Sequence, residues 1–232
     1  MRLSIIVPVL DEAAVIASQL LLLQPLRASG AEIIVVDGGS SDATRELAAP
    51  LADRVMAGTR GRALQMNLGA NTASGDTLLF LHADTRLPDG ADRMIADALS
   101  ATNAWGRFDV AIEGTHPMLQ VIAALMNLRS RLTGIATGDQ AMFMTRAAFE
   151  RSGSYPAIAL MEDIALSRAL RRLSRPTCLR ARVTTSGRRW EQHGVWRTIF
   201  VMWRLRLAYF FGAEPARLAA QYNTNDRDPD AR

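Results

Sequence analysis

Lysine is missing from all 232 residues, so every one of the 27 basic side chains is an arginine. Cysteine occurs once, at Cys178, which excludes an intrachain disulfide and a cysteine-based zinc site. A single thiol fits a reducing compartment. No stretch of 18 or more uncharged apolar residues exists, so no membrane-spanning helix is expected. The first apolar run, from Leu3 to Leu10, contains Pro8 and stops at Asp11-Glu12, which does not read as a secretory leader. Also missing are a G-x-G-x-x-G after the first strand and any G-x-x-x-x-G-K-[ST], which weakens dehydrogenase and P-loop readings. Repeats and low-complexity segments are absent. Aromatics make up only 6% of the chain, and they are unevenly spread.

What remains is a globular composition, 49% apolar and 22% charged, at a length that suits one large domain better than two. The net charge of +4 hides an asymmetry. Residues 1–116 carry 9 Arg and 14 acids, whereas residues 117–232 carry 18 Arg and 9 acids. That split argues against a nucleic-acid coat. It suggests a cleft in which carboxylates face guanidinium groups.

The first half alternates between two periods. Leu3 to Val9 reads as a strand, Glu12 to Leu26 as a helix closed by Pro25 and Gly30, and Ala31 to Val36 as a second strand. A helix from Asp42 to Ala49 follows, capped by Ser41 or Asp42. Next come a brief strand around Val55, a helix near Gly61 to Ala73 and a strand from Thr77 to Leu81. Apolar strands separated by helices predict a mostly parallel α/β sheet with helices on both faces. Asp11 and Glu12, then Asp37, then His82 and Asp84 each follow a strand. They therefore gather at the carboxyl edge, where open α/β sheets bind ligands.

Four blocks carry a resemblance: SIIVPVLDE, EIIVVDGGSSDAT, GDTLLFLHADTRLP and MEDIALSRALRR. In order and spacing they resemble a family 2 glycosyltransferase of GT-A fold, from about Leu3 to Tyr222. Within the family they look most like the bacterial radical-SAM/selenodomain-associated transferases. The resemblance implies a glycosyltransferase domain over 1–221, with a nucleotide-binding half (1–116), an acceptor and catalytic half (117–190) and a C-terminal helical segment (191–221). A polar tail, 222–232, follows.

By position, the resemblance places Pro8, Glu12 and Asp37 around the uracil and ribose of a nucleotide-sugar donor. Gly38 stands where the family's usual second acid would be. The Asp-x-Asp motif appears as His82-Ala83-Asp84, which keeps one acid for Mn²⁺ or Mg²⁺. His82 reads three ways: a metal ligand, a donor to phosphate or a polar strand end. Asp163 is implied as general base, with Glu162 as its orienting or acceptor-binding neighbour. Asp139 and Gln140 fall in a block under the acceptor side, and Arg189 and Trp190 in a loose form of the C-terminal Arg-Trp motif. Arg60 and Arg62 are further candidates for the phosphate side.

Val195 to Phe211 is set apart by Trp196, Phe200, Trp203, Tyr209, Phe210 and Phe211, interrupted by Arg197, Arg204 and Arg206. Residues seven apart share a helical face, so Trp196 pairs with Trp203 and Arg197 with Arg204. An interfacial helix on a membrane surface is one reading; packing on the core or on a second subunit is the other. The expected function is thus metal-assisted, inverting transfer of a sugar from a nucleotide-sugar, UDP-linked by the resemblance. The acceptor is a lipid or another small molecule, in the cytoplasm or at the inner face of the cell membrane. The alternatives are a nucleotidyltransferase, which should show a Gly-rich basic loop where LDEAAV stands, and a non-catalytic nucleotide-binding relic of a transferase.

Overall fold

Leu3, Ile5, Val7 and Val9 of strand β1 (Leu3–Val9) enter one core, while Ile6 enters another on the opposite side of the sheet. Strand β2 (Glu32–Asp37) divides the same way, Ile33 and Val35 against Ile34 and Val36. Both faces of these strands are covered, which is why the sequence shows unbroken apolar runs there. The computed structural model describes residues 1–99 and 102–226.

The remaining strands are β3 (Arg54–Ala57), β4 (Thr77–Phe80), β5 (Thr85–Arg86), β6 (Trp105–Glu113), β7 (Phe143–Thr145) and β8 (Thr177–Ser186). They form one sheet in the order β3-β2-β1-β4-β7-β6-β8-β5. The first four are parallel, as expected. β7 runs against both β4 and β6, and β5 against β8. The sheet is therefore mixed, and its second half is built around the antiparallel insertion of β7.

The helices are α1 (Ile16–Leu22), α2 (Gln24–Ala28), α3 (Thr44–Ala48), α4 (Arg62–Thr72), α5 (Ala91–Ala98), α6 (Met118–Thr133), α7 (Arg146–Arg151), α8 (Glu162–Leu170), α9 (Arg188–His193), α10 (Val195–Phe210) and α11 (Pro215–Asp226). Two expectations need correction. The helix foreseen from Glu12 to Leu26 is two helices, and Pro25 opens α2 rather than closing α1. Proline lacks an N–H and suits a first helical turn, so the chain restarts there. Neither Ser41 nor Asp42 caps a helix. α3 starts only at Thr44, with Ala43 as its cap residue, and Asp42 instead accepts bonds from Thr44 N and Ala13 N at 3.0 Å each.

Close approach of α4 to the sheet depends on Gly69, where an added Cβ would lie 2.5 Å from Ile6 Cγ2. On the other half, α6 is held to β6 through a buried ion network. Arg107, fully buried, pairs with Asp109 and donates to Ser130 Oγ at 3.0 Å, while Arg131 reaches the other oxygen of Asp109 at 2.6 Å. α10 is anchored at one end by Val195 against Leu119 and Ile122, and further along by Leu205 against Met161, Ile164 and Leu218. Among the described residues no helix is long and apolar enough to cross a membrane. α11 carries the first residues of the expected polar tail, and residues 227–232 lie outside the described residues.

Candidate active site

The carboxyl ends of β1 and β4 meet the start of α8 and the inner face of α10 around a cleft of about 230 Å³. Pro8, Glu12, Arg62, His82, Asp84, Asp139, Glu162, Asp163, Arg189 and Trp190 all line it. Residues distant in sequence, three of the four motif blocks among their sources, thus line one cleft.

Asp37 and Gln140 stand apart, since neither lines the cleft. The Asp37 side chain is spent on its own turn, accepting from Gly39 N at 3.1 Å, from Ser40 N at 3.1 Å and from the Ser40 hydroxyl. Gly38, in place of a second acid, has a packing reason. A Cβ there would lie 3.0 Å from the Gln65 side chain, whose amide donates to Val9 O and Val36 O at 2.8 Å each. Gln140 is fully buried, accepts from Thr137 N at 3.2 Å and donates to Asn127 at 3.3 Å. Gln140 backs the lining residues Thr137, Gly138 and Asp139.

α8 begins at Glu162, directly after Met161, whose φ is +69°. A left-handed backbone at a non-glycine residue costs roughly 1–3 kcal/mol and is commonly tolerated at functional turns. It aims the first turn, Glu162 and Asp163, into the cleft at the positive end of the helix dipole. Asp163 Oδ1 accepts from Ile164 N at 2.7 Å and Oδ2 from Gly138 N at 3.1 Å. Both oxygens are therefore fixed in direction. Glu162 is nearly buried, and burial together with the neighbouring Asp163 pushes its carboxyl above the usual range. Arg62, 3.8 Å away, opposes that rise.

Glu12 and Asp84 line the same cleft. Burial raises the Glu12 carboxyl; Arg188, at 3.9 Å, offsets part of this, and Asp84 adds to it. Two acids facing one space, only weakly neutralised, suit a hard divalent cation, which takes oxygen ligands and is often completed by substrate phosphates. Among the described residues no three His, Cys, Asp or Glu side chains converge as a ready-made cage, so phosphate oxygens would have to complete such a site. His82 is less suited to ligation. Its Nδ1 lies 3.3 Å from Asp139 Oδ1, and its Nε2 is shielded against Gly138 with no hydrogen-bond partner. Asp139 is correspondingly engaged. Burial disfavours its charge, but the contact with His82 and the positive charges of Arg62 and Arg206 together hold the carboxyl below the usual range.

The arginine-rich half closes the cleft. The Arg189 guanidinium lies 3.9 Å from the centroid of the Tyr222 ring, and both residues line the space with Trp190. Arg60, the remaining phosphate-side candidate, is not part of the lining. Thr198, Met202 and Arg206 of α10 are, spaced four apart on one helical face. Sequence reasoning treated Arg206 only as an interruption of the aromatic stripe. The legible signal was an arginine in the inward stripe of an amphipathic helix.

Comparison with known proteins gives a consistent picture. The family model described as Glycosyl transferase family 2 matches residues 4–152. No curated protein matches the chain. Among solved structures, a mannosyltransferase from Pyrobaculum calidifontis in complex with GDP-Man and Mn²⁺ is similar with a TM-score of 0.64 at 20% identity, over 89% of this chain and 60% of that one. TarS from S. aureus, residues 1–349 in complex with UDP-GlcNAc, aligns at 0.62 and 19% identity, over 80% of this chain and 58% of TarS. Glucosyl-3-phosphoglycerate synthase from Mycobacterium tuberculosis, in complex with phosphoglyceric acid, aligns at 0.54 and 19%, over 79% and 70%. The fold is the GT-A fold these share. The chain spans about 60% of the length of the first two.

Proposed function

This chain belongs to glycosyl transferase family 2, and we propose that it moves a sugar from a nucleotide-sugar to an acceptor hydroxyl with inversion, using Asp163 as general base. The observation that carries the reading is the cleft itself. It brings a carboxylate of fixed direction, Asp163, into one space with Glu12 and Asp84. Inversion needs the hydroxyl to attack the anomeric carbon from the face opposite the leaving diphosphate, so base and diphosphate must sit on opposite sides of the sugar.

In this scheme Pro8 and Glu12 line the nucleoside end and Asp84 holds a divalent cation, Mn²⁺ or Mg²⁺. When bound, the cation neutralises charge that grows on the departing diphosphate. Arg62 and Arg188 stand beside Glu162 and Glu12, where their guanidinium groups add positive charge. Asp163 accepts the acceptor's proton, and its bonds from Gly138 N and Ile164 N keep the receiving oxygen aimed. Glu162 and Trp190 flank the acceptor. Asp139 acts through His82, as a positioning residue. Asp37 supports the nucleoside end by holding its turn. Solved relatives with GDP-Man or UDP-GlcNAc support a nucleotide-sugar donor, and the motif blocks support the radical-SAM/selenodomain-associated subgroup.

The exposed aromatic face of α10 supports work at a membrane surface, in the cytoplasm at the inner face of the cell membrane. Trp196, Phe200, Trp203, Leu207 and Phe210 are each at least 60% exposed at helical spacing. Packing on the core is thereby excluded as their role.

The test is a nucleotide and nucleotide-sugar titration with and without Mn²⁺, followed by two substitutions. Asp163→Asn is expected to lower transfer by about 10²–10⁴-fold while leaving nucleotide binding within a few-fold; equal loss of both removes the base assignment. Asp84→Ala is expected to abolish the metal dependence of nucleotide binding. Wild-type binding that is the same in EDTA as in Mn²⁺ overturns the metal assignment.

A further inference from the structure

Among the described residues, two arginines beside the cleft have no carboxylate in salt-bridge contact. Arg206 lines the cleft, and Arg129 lies one turn along α6 from the lining residue Met126. Among the described residues, Nε and Nη2 of Arg129 and Nε of Arg206 are shielded from solvent and have no hydrogen-bond partner. Buried N–H donors are nearly always satisfied, and a buried charge without a partner is costly. The two guanidinium groups also repel each other: burial, then Arg206, brings the Arg129 pKa down to about 10.

The nearby acids relieve them only at a distance, without a hydrogen bond to either guanidinium among the described residues. Asp163 and Asp139 attract both arginines, but Asp163 is committed to Gly138 N and Ile164 N, and Asp139 to His82. The pair is also placed by the elements that carry it. Arg206 follows Thr198 and Met202 on the cleft-lining face of α10, and Asp163 and Asp139 are the acids that act on it. Arg129 on α6 is acted on by the same two acids, Asp163, the candidate base, and Asp139.

We propose that Arg206 and Arg129 form an anion subsite that takes a phosphate group carried by the acceptor. Calling that molecule the acceptor rests on the glycosyl-transfer reading; the subsite does not. Two guanidinium groups match the charge of a phosphate monoester, about −1.5 to −2, and their planar donors suit its oxygens. The same two helices turn apolar faces outward. Val121, Leu125, Leu128 and Leu132 of α6 and the aromatic stripe of α10 are exposed. A phosphate held between these helices lies where either a soluble phosphorylated acceptor or a lipid headgroup delivers it.

Calorimetric titration of inorganic phosphate into protein already saturated with nucleoside diphosphate and Mn²⁺ tests this with the donor side filled. Wild-type protein is expected to bind phosphate. Arg206→Gln and Arg129→Gln are each expected to weaken it about 10- to 100-fold, the range of a charge-assisted hydrogen bond, with nucleotide affinity unchanged within about threefold. Absence of phosphate binding by the wild type overturns the subsite, as does an equal loss of nucleotide affinity, which assigns the arginines to the donor diphosphate. Should the glutamine variants fail to fold, Arg206→Lys and Arg129→Lys keep the charge without the planar fork, and unchanged phosphate affinity in both then overturns it. If no nucleotide binds, the same titration is run without one; phosphate binding then upholds the subsite while the glycosyl-transfer reading fails. Flotation with phosphatidylcholine vesicles, with and without phosphatidic acid, separates the sources. A preference for phosphatidic acid lost in Arg206→Gln identifies a lipid phosphate; phosphate binding without that preference identifies a soluble one, and both support the subsite.

Discussion

Glu162 shows how one residue trades stability for position. Its carboxyl is nearly buried beside Asp163, and its folded pKa is raised. For a carboxyl raised in the fold, the native state holds its proton longer than the unfolded chain does. Its stabilising contribution is whole below the unfolded pKa and is lost as pH rises through the folded one. Glu162→Gln removes that loss. The variant is expected to be more stable than wild type at neutral pH, with the gap closing in acid, as measured by denaturant unfolding at several pH values. A constant gap across pH shows that ionisation of Glu162 is not its cause. At this scale, Glu162 and Asp163 were legible as acids opening a helix, since the apolar spacing of Leu166 and Leu170 follows them directly. The His82–Asp139 contact was not, because 57 positions separate the two and only the β7 insertion brings them together.

Among the elements, α10 carries two unrelated faces. Thr198, Met202 and Arg206 look into the cleft, while Trp196, Phe200 and Trp203 look outward. Replacing Trp196 and Trp203 with serine is expected to change folding stability by no more than about 0.5 kcal/mol per site, as for surface positions. The same change should abolish flotation with anionic vesicles. If the wild type instead self-associates and the double variant is monomeric by sedimentation, the face is a protein interface and the membrane reading fails. The seven-residue spacing made this face readable in advance. Its exposure was not, because periodicity reports which residues share a side and says nothing of what covers them.

Across the molecule, the acidic and arginine-rich halves do meet at the cleft, through Arg188 with Glu12 and Arg62 with Glu162. The second half is held on the sheet by the Arg107–Asp109–Arg131 network between β6 and α6. Asp109→Ala leaves Arg107 buried without its acid, and the expected cost is about 3–5 kcal/mol in unfolding free energy. Because α6 carries Arg129, phosphate affinity should fall with it. A loss below about 1 kcal/mol means that water reaches Arg107 and that the network is not a structural tie.

The sequence alone determined the parallel half of the sheet, the gathering of Glu12, His82 and Asp84 at its carboxyl edge, and an acidic opening of α8. Those features are local: a buried strand declares itself by continuous apolar residues, and the turn after it by its polar ones. The missing lysine and the single cysteine excluded chemistry without placing any. Only the tertiary structure decided that Asp37 closes a turn, that Gln140 lies behind the cleft, and that Arg129 and Arg206, among the described residues, keep buried N–H groups without a hydrogen-bond partner. Each of these depends on which side chain from a distant element fills the neighbouring space, and burial against a remote partner leaves no period in a chain.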